Sequence, residues 1–499
     1  MTGSFPRRRR RLVRFVFTLA LFIILVWLKP ARAQSDENLP QEPNWTSPGA
    51  AAPEDESAPT DSAETDFPSP ENSTAVPSPD TSLPAAPASP PVHSVLQTTT
   101  PAAPPPESPA AGVGVPVAGN WNLPDLTDPM APFFQMEGLR MRLGVVEFAL
   151  NFGMSFAYND NIFNAQTPRV ADYITTITPT FTLEIGDAIK REDNFFAISY
   201  SPQPQIFAEN SDQTTINENL AVALHYQFPR LTEDLAFSYA KNSNPTLTDI
   251  GRVETRQYSL LWTNSYALTA RTALEFALQG ATVAYTGPGY TNYSTVSATT
   301  RLAYEVSPKL LLTLGPSVGV TTNEGGQGKQ TFESITLGFE YKSLSKLAFH
   351  GGLGFQVQQF DGANANGDQG FSTPTFSLGL TYQASEKRSF TLDLNRSVQN
   401  SGFANGQTYI NTTTAVGVTQ QLLRGWSVAF TLAYTSIQYQ GGIDDRTDTY
   451  VTASPTLNYT FWREQCVWSL FYTRTQRFSD IEAYQFDANV LGTGLTIQF

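Results

Sequence analysis

The chain has 499 residues, 40% hydrophobic and only 15% charged, with a net charge of −14. That acidic balance excludes nucleic acid as a partner, because phosphate binding needs clustered Lys and Arg. The single cysteine, Cys466, excludes an intrachain disulfide, a Cys-rich metal site and a lipid anchor on an N-terminal cysteine. The charged fraction falls below the ~25% of an ordinary globular protein. Phe, Tyr, Gly, Thr and Ser dominate instead, which is a strand-and-turn composition.

The first element in chain order is an address. Arg7 to Arg11 and Arg14 precede an apolar core at 15–28, then Lys29-Pro30 and Ala31-Arg32-Ala33. The basic, apolar and small-x-small regions predict a secretory signal peptide over 1–33, cut between Ala33 and Gln34, with Ala31 as the other small residue. The apolar core is shorter than the ~20 residues of a spanning helix. Export by the general secretory route is expected. Residues 34–120 are rich in Pro, Ala, Ser and acids. Such a segment cannot bury enough apolar surface to offset its ordering entropy, so a disordered periplasmic linker is expected. It is long enough to touch peptidoglycan or exopolysaccharide machinery. Residues 121–142 lead into the next region, either in the periplasm or as a plug inside it.

From 143 to 499 the pattern changes. In "EFALNFGMSFAY", Phe148, Leu150, Phe152, Met154, Phe156 and Tyr158 share one face, and small or polar residues share the other. That is the period of two of a strand. The same alternation recurs in "NLAVALHYQF", "SITLGFEY", "TFSLGLTY" and "WSVAFTLAY". Short turns such as "PRLTED", "SPK" and "WREQ" alternate with longer Gly/Asn/Asp stretches such as "NEGGQGKQ" and "DGANANGDQG". Short turns at one end and long loops at the other predict an all-β transmembrane antiparallel β-barrel, of about 18 strands (roughly 16–18). In lipid every backbone group must pair internally, so a spanning sheet has to close. Aromatics at strand ends predict girdles at the two interfaces. Tyr226, Phe228, Tyr266, Tyr341, Tyr382, Tyr459, Phe461 and Trp462 mark the turn end. Tyr158, Tyr239, Tyr285, Phe360 and Tyr439 mark the loop end. At the close of the chain, Leu495, Ile497 and the terminal Phe499 share a face. This ending resembles the signature by which the barrel-assembly machinery recognises outer-membrane proteins.

The stretch "YNDNIFNAQTPRVADYITTITPTFTLEIG" carries a family resemblance. Tyr158, Asp160, Asn161, Ile162 and Phe163, followed by Asp172 and Pro179, resemble the opening hairpin of the family putative beta-barrel porin 2. The resemblance covers about 140–499 and implies an outer-membrane barrel in contact with lipid and lipopolysaccharide. It implies for some members a link to exopolysaccharide production. The Asn-Asp-Asn triplet is not an EF-hand loop: counting from Asp160, position six is Ala165 and position twelve is Ala171, where Gly and Glu are required. It is expected to supply turn chemistry at the first external loop.

Inside such a barrel, Glu147, Glu184, Arg301, Glu305 and Asp393 are candidate lumen charges that tune selectivity. No long aromatic track is evident on the inward face. Asp444, Asp445 and Asp448 form a small acidic group that would hold calcium weakly at best. His93 lies in the linker, and His225 and His350 fall on strands far apart, so no nucleophile–base pair is assembled. No catalytic, cofactor or metal residue is assigned, and an enzyme is not expected. The expected function is a porin-like passive channel for small hydrophilic solutes, or a channel associated with a polymer. The alternative is a non-conducting structural or accessory component of exopolysaccharide assembly or export.

Overall fold

The structure is a computed structural model describing residues 140–143, 146–186, 194–245, 251–287, 289–324, 328–342, 346–361, 369–402, 408–440, 446–462 and 465–498. The signal residues Ala31, Ala33 and Gln34, the linker, nearly all of 121–142, and Phe499 lie outside this set.

Alternating sequence becomes strand after strand. These are β1 (Arg140–Leu143), β2 (Val146–Asn159), β3 (Asp172–Ile185), β4 (Phe195–Phe207), β5 (Thr215–Gln227), β6 (Leu231–Asn242) and β7 (Glu254–Ala267). Then come β8 (Thr272–Thr286), β9 (Tyr293–Ser307), β10 (Leu310–Asn323), β11 (Lys329–Lys342), β12 (Leu347–Phe360) and β13 (Gly370–Ser385). The series ends with β14 (Arg388–Asn400), β15 (Thr408–Gln421), β16 (Trp426–Gln440), β17 (Thr447–Phe461), β18 (Cys466–Ser479) and β19 (Phe486–Gln498). Each strand pairs antiparallel with the next. The nineteen-stranded sheet closes where β19 returns to β2, from Val490↔Asn159 to Gln498↔Asn151. Without β1, the strands β2–β19 form a closed barrel of eighteen.

Register assigns every side chain to a face. On β2, Phe148, Leu150, Met154, Phe156 and Tyr158 stand exposed, while Gly153, Ser155 and Ala157 are buried. The exposed set continues as Phe181, Val296, Leu314, Ile335, Phe355, Leu432 and Leu491. This is an apolar outer band facing lipid, and the small or polar partners line the inside. Leu353, mid-strand on β12 and 44% exposed, sits in that band between Leu337 and Phe376. A Leu353→Arg substitution is expected to destabilise the barrel in lipid vesicles by about 2–4 kcal/mol. Gln356→Arg, on the inner face, is expected to cost under about 1 kcal/mol. Urea midpoints of the two variants check the difference, and equal midpoints would contradict the assignment of faces.

Two local features qualify the regular wall. The β3–β4 ladder has no registered pairs between Thr176↔Gln205 and Phe181↔Tyr200. Pro179, Pro202 and Pro204 lie there and cannot donate. The Thr180 and Ser201 hydroxyls bridge the gap at 3.0 Å. The second feature is at the seam. Strand β1 pairs with Val146–Ala149 of β2, the stretch of that edge β19 does not reach. Arg140 opposite Ala149 therefore continues the line that ends with Gln498 opposite Asn151.

The register also corrects the girdle at the loop end. Tyr158 and Tyr239 do point outward, but Tyr285 shares the inner face of β8 with Gln279 and Val283, and Tyr439 is 2% exposed on the inner face of β16. Phe360 sits on the inner rung opposite Gln330. A strand end places an aromatic at an interface level, but parity decides whether it meets lipid or lumen.

Candidate functional site: the lumen and its extracellular mouth

The inner wall is graded along the barrel axis. At the short-turn end, Glu147 opposes Glu184 across β2–β3, and His225 meets Asp234 at 2.6 Å across β5–β6. Glu275 opposes Arg301 across β8–β9, and Glu305 lies two rungs from the end of β9. Glu340 opposes His350 across β11–β12, and Gly379 opposes Asp393 across β13–β14. The His350 ring covers the space a side chain at Gly379 would need. The five lumen charges named from sequence all stand on these inner rungs. Among side chains described there, carboxylates far outnumber the Arg301 guanidinium. This acidic arc spans β2 to β14. The turn-half inner faces of β15–β19 carry neutral groups such as Gly417, Ser427, Asn458 and Ser469. The two imidazoles stand on β5 and β12, well apart around the wall.

The loop end is narrowed by its own hairpins. The tip of β14–β15 bonds to strands that are not its neighbours. Asn400 Nδ2 donates to Thr321 Oγ1 of β10 at 3.1 Å, Thr408 Oγ1 to Gln330 Oε1 of β11 at 2.8 Å, and Thr291 N to Gly402 O at 2.7 Å. Gly402 lies against the Tyr285 ring, where a Cβ would have no room. Thr321, Gln330 and Thr408 are all buried. A polar Gly/Asn stretch reads as a free external loop from sequence, yet its ends fold over the mouth. The packed glycine was the available signal, but only register exposes it.

A second group at the mouth was not visible in the sequence. Asp448 Oδ2 accepts from Arg446 Nε at 3.1 Å and Arg477 Nη2 at 2.6 Å. Arg446 stands over the Tyr439 and Tyr484 rings at 4.3 and 3.7 Å, and Arg477 over Tyr450 and Tyr484 at 5.3 and 5.1 Å. Burial alone would lower Arg446, but Tyr439 and Asp448 beside it outweigh that and hold it above its ordinary value. Asp448 therefore cannot serve the acidic calcium group read from sequence, since both its neighbours are cations. Asp444 and Asp445 lie outside the described residues. Inner-face aromatics occur here in local groups. Tyr285 stacks with Tyr290 at 5.5 Å, and Ile437, Tyr439, Tyr450 and Phe486 form one apolar cluster. Across the mouth, Arg252 lies over Phe207 at 4.5 Å, and burial pushes it down to about 10, still a cation at neutral pH.

The family-motif residues are latches. Asp160 accepts from Asn489 N at 2.6 Å and Asn489 Nδ2 at 2.8 Å. Asn161, fully buried, donates to Ala165 O and Asp487 O and accepts from Ala165 N. Both extend the β2–β19 closure past its ladder. Ile162 is 1% exposed, and Phe163 O accepts from Gly251 N of the β6–β7 loop. Asp172 caps the β4–β5 turn, accepting from the Ala208, Glu209 and Asn210 amides. Tyr158 packs on Tyr173 at 5.2 Å. Leu495 and Ile497 share the outer face of β19.

Residues 351–499, from β12 to the end of the chain, match the family described as Putative beta-barrel porin 2. It is the same family that the first hairpin resembles. The chain is thus a porin-like outer-membrane β-barrel. Solved structures show only a distant likeness. They include Pseudomonas aeruginosa OpdK with vanillate (10% identity, 70% of this chain, 99% of that chain, TM-score 0.41). Acinetobacter baumannii OccAB3 gives 11% identity, 70% and 99% coverage, and a TM-score of 0.40. The siderophore receptor PirA of P. aeruginosa gives 12% identity, 70% and 80% coverage, and a TM-score of 0.38. The search of curated proteins finds no match.

Proposed function

We propose that this barrel is a passive channel for small hydrophilic solutes with a preference for cations, and that it performs no catalysis. The observation that carries the reading is the inner wall: small and polar groups over most of it, with carboxylates concentrated at the turn end. A closed barrel of this strand number leaves an aqueous interior unless something fills it. Carboxylate rings favour cations in transit. On this reading the outer band meets lipid and lipopolysaccharide, and Leu495 and Ile497 with Phe499 engage the assembly machinery. Proteoliposome swelling tests it. Swelling in small sugars is expected to be fast and to slow as the solute grows, and liposomes as tight as protein-free ones would overturn the proposal.

The hydrogen-bonded β14–β15 tip favours a second reading, a non-conducting structural or accessory component of exopolysaccharide assembly. Gly402→Val, which drives a side chain into Tyr285, discriminates between them. If the tip only narrows an open path, swelling should rise in that variant. If swelling is absent in both proteins, the accessory reading stands.

A further inference from the structure

The longest break inside any ladder of the described barrel lies between β3 and β4. Pairs stop at Thr176↔Gln205 and resume at Phe181↔Tyr200 with no change of register, so four consecutive rungs are missing. Single prolines elsewhere cost less. The β9–β10 ladder skips two rungs around Pro316, and the β17–β18 ladder two around Pro455. Here the register sets Pro179 opposite Pro202 and Pro204 opposite Ile177. None of the three prolines has an N–H to give. Both strands keep their other neighbours, with Phe152↔Pro179 on β2, and Pro202↔Glu218 and Pro204↔Ile216 on β5. The break is therefore a line between two intact strands. It falls in mid-strand, at the depth of the lipid, where an unmade backbone bond meets no water from outside. What spans it is the Thr180–Ser201 hydroxyl pair at 3.0 Å. A wall that had only to enclose water would gain nothing from such a line.

We infer that this line is a lateral gate, through which a neutral single-chain amphiphile bearing a hydroxyl passes between the lumen and the membrane. Parting the strands here gives up one hydroxyl pair in place of four rungs of backbone bonds, while the rungs above and below hold β3 and β4 together. The inner lips are Thr178, Thr180, Ser201 and Gln203, all uncharged and able to hydrogen-bond. A hydroxyl head donates to backbone carbonyls that face a proline nitrogen, and these side chains follow it through. The outer lips are Ile177, Phe181, Tyr200 and Ile206, the last three exposed, and they receive an alkyl chain. A charged head is excluded by the cost of carrying it into lipid. The gate draws on the aqueous lumen of the channel reading, but it serves a class of solute that axial diffusion of hydrophilic molecules does not.

Uptake of radiolabelled decanol by Gram-negative cells producing the full chain tests the gate, with arabinose uptake as the measure of the axial path. Cells with the chain are expected to take up decanol faster than cells without it. Thr180→Cys/Ser201→Cys in a Cys466→Ser background is expected to lose that gain when oxidised and to regain it on reduction, with arabinose uptake unchanged throughout. Pro179→Val/Pro202→Val/Pro204→Val restores three backbone donors. It is expected to migrate as a folded barrel and to abolish the decanol gain as well, and it decides the matter where the disulfide does not form. Decanol uptake no faster than in cells without the chain would overturn the gate. So would a gain that survives the disulfide or the added donors, or arabinose uptake that falls together with it. Arabinose uptake by the wild-type chain judges the channel reading, so the two fail separately.

Discussion

The double variant Asp160→Ala/Asn161→Ala is expected to lose about 3–5 kcal/mol of barrel stability. On gels it should lose its folded migration at a clearly lower temperature than the wild-type chain. The reason lies in how the barrel closes. The β19–β2 ladder runs only from Asn159 to Asn151 of β2. Beyond it, Asp160 holds both the amide and the side chain of Asn489, and buried Asn161 bonds to Asp487 O. Bonds to an ionised acceptor are the stronger kind, and removing Asn161 would leave the Asp487 carbonyl and Ala165 amide unmet. Asp212→Ala, on an exposed turn elsewhere on the rim, serves as the control and should migrate as wild type. If the double variant also matches wild type, the seam does not depend on these residues.

The second large effect concerns ions. Replacing Glu147 and Glu305 with Gln and Asp393 with Asn should lower the potassium-to-chloride permeability ratio by at least about threefold. Reversal potentials in a salt gradient measure it. These residues are chosen because they spread over three sectors of the acidic arc. Glu275 is unsuited, since its loss would strip Arg301 of its rung partner. The difference should shrink as salt is raised, because fixed charges are screened over ~10 Å at 0.1 M and less above it. An unchanged ratio at low salt would separate these carboxylates from the ion path.

Much of the wall was legible in the sequence, for a simple reason. Alternation over a dozen residues, as in Phe148 to Tyr158, admits one structure and also says which side meets lipid. The strand ends follow from turns that cannot pair, so β9 gives way to β10 at "SPK" and β17 to β18 at "WREQ". The mouth was less legible. Tyr285 and Tyr439 sit at the height expected of girdle residues, but one rung of parity turns them inward. The β14–β15 tip looks like any solvated loop, because Gly402 and Thr408 show their use only against Tyr285 and Gln330, residues remote in the chain. Asp448 was read by its acidic neighbours in sequence, while its charge is spent on Arg477, 29 residues away. The Asn-Asp-Asn triplet was readable as turn chemistry, but not as a latch, because Asn489 reaches it only once the last strand has come home to the first.

The proposed channel requires an aqueous path through β2–β19, and single-channel recording of the refolded chain in a planar bilayer tests that directly. Discrete, stable open steps are expected, reversing at a potential that favours potassium over chloride. A chain that migrates as a folded barrel, inserts into the bilayer and passes no current, with Gly402→Val equally silent, would contradict it.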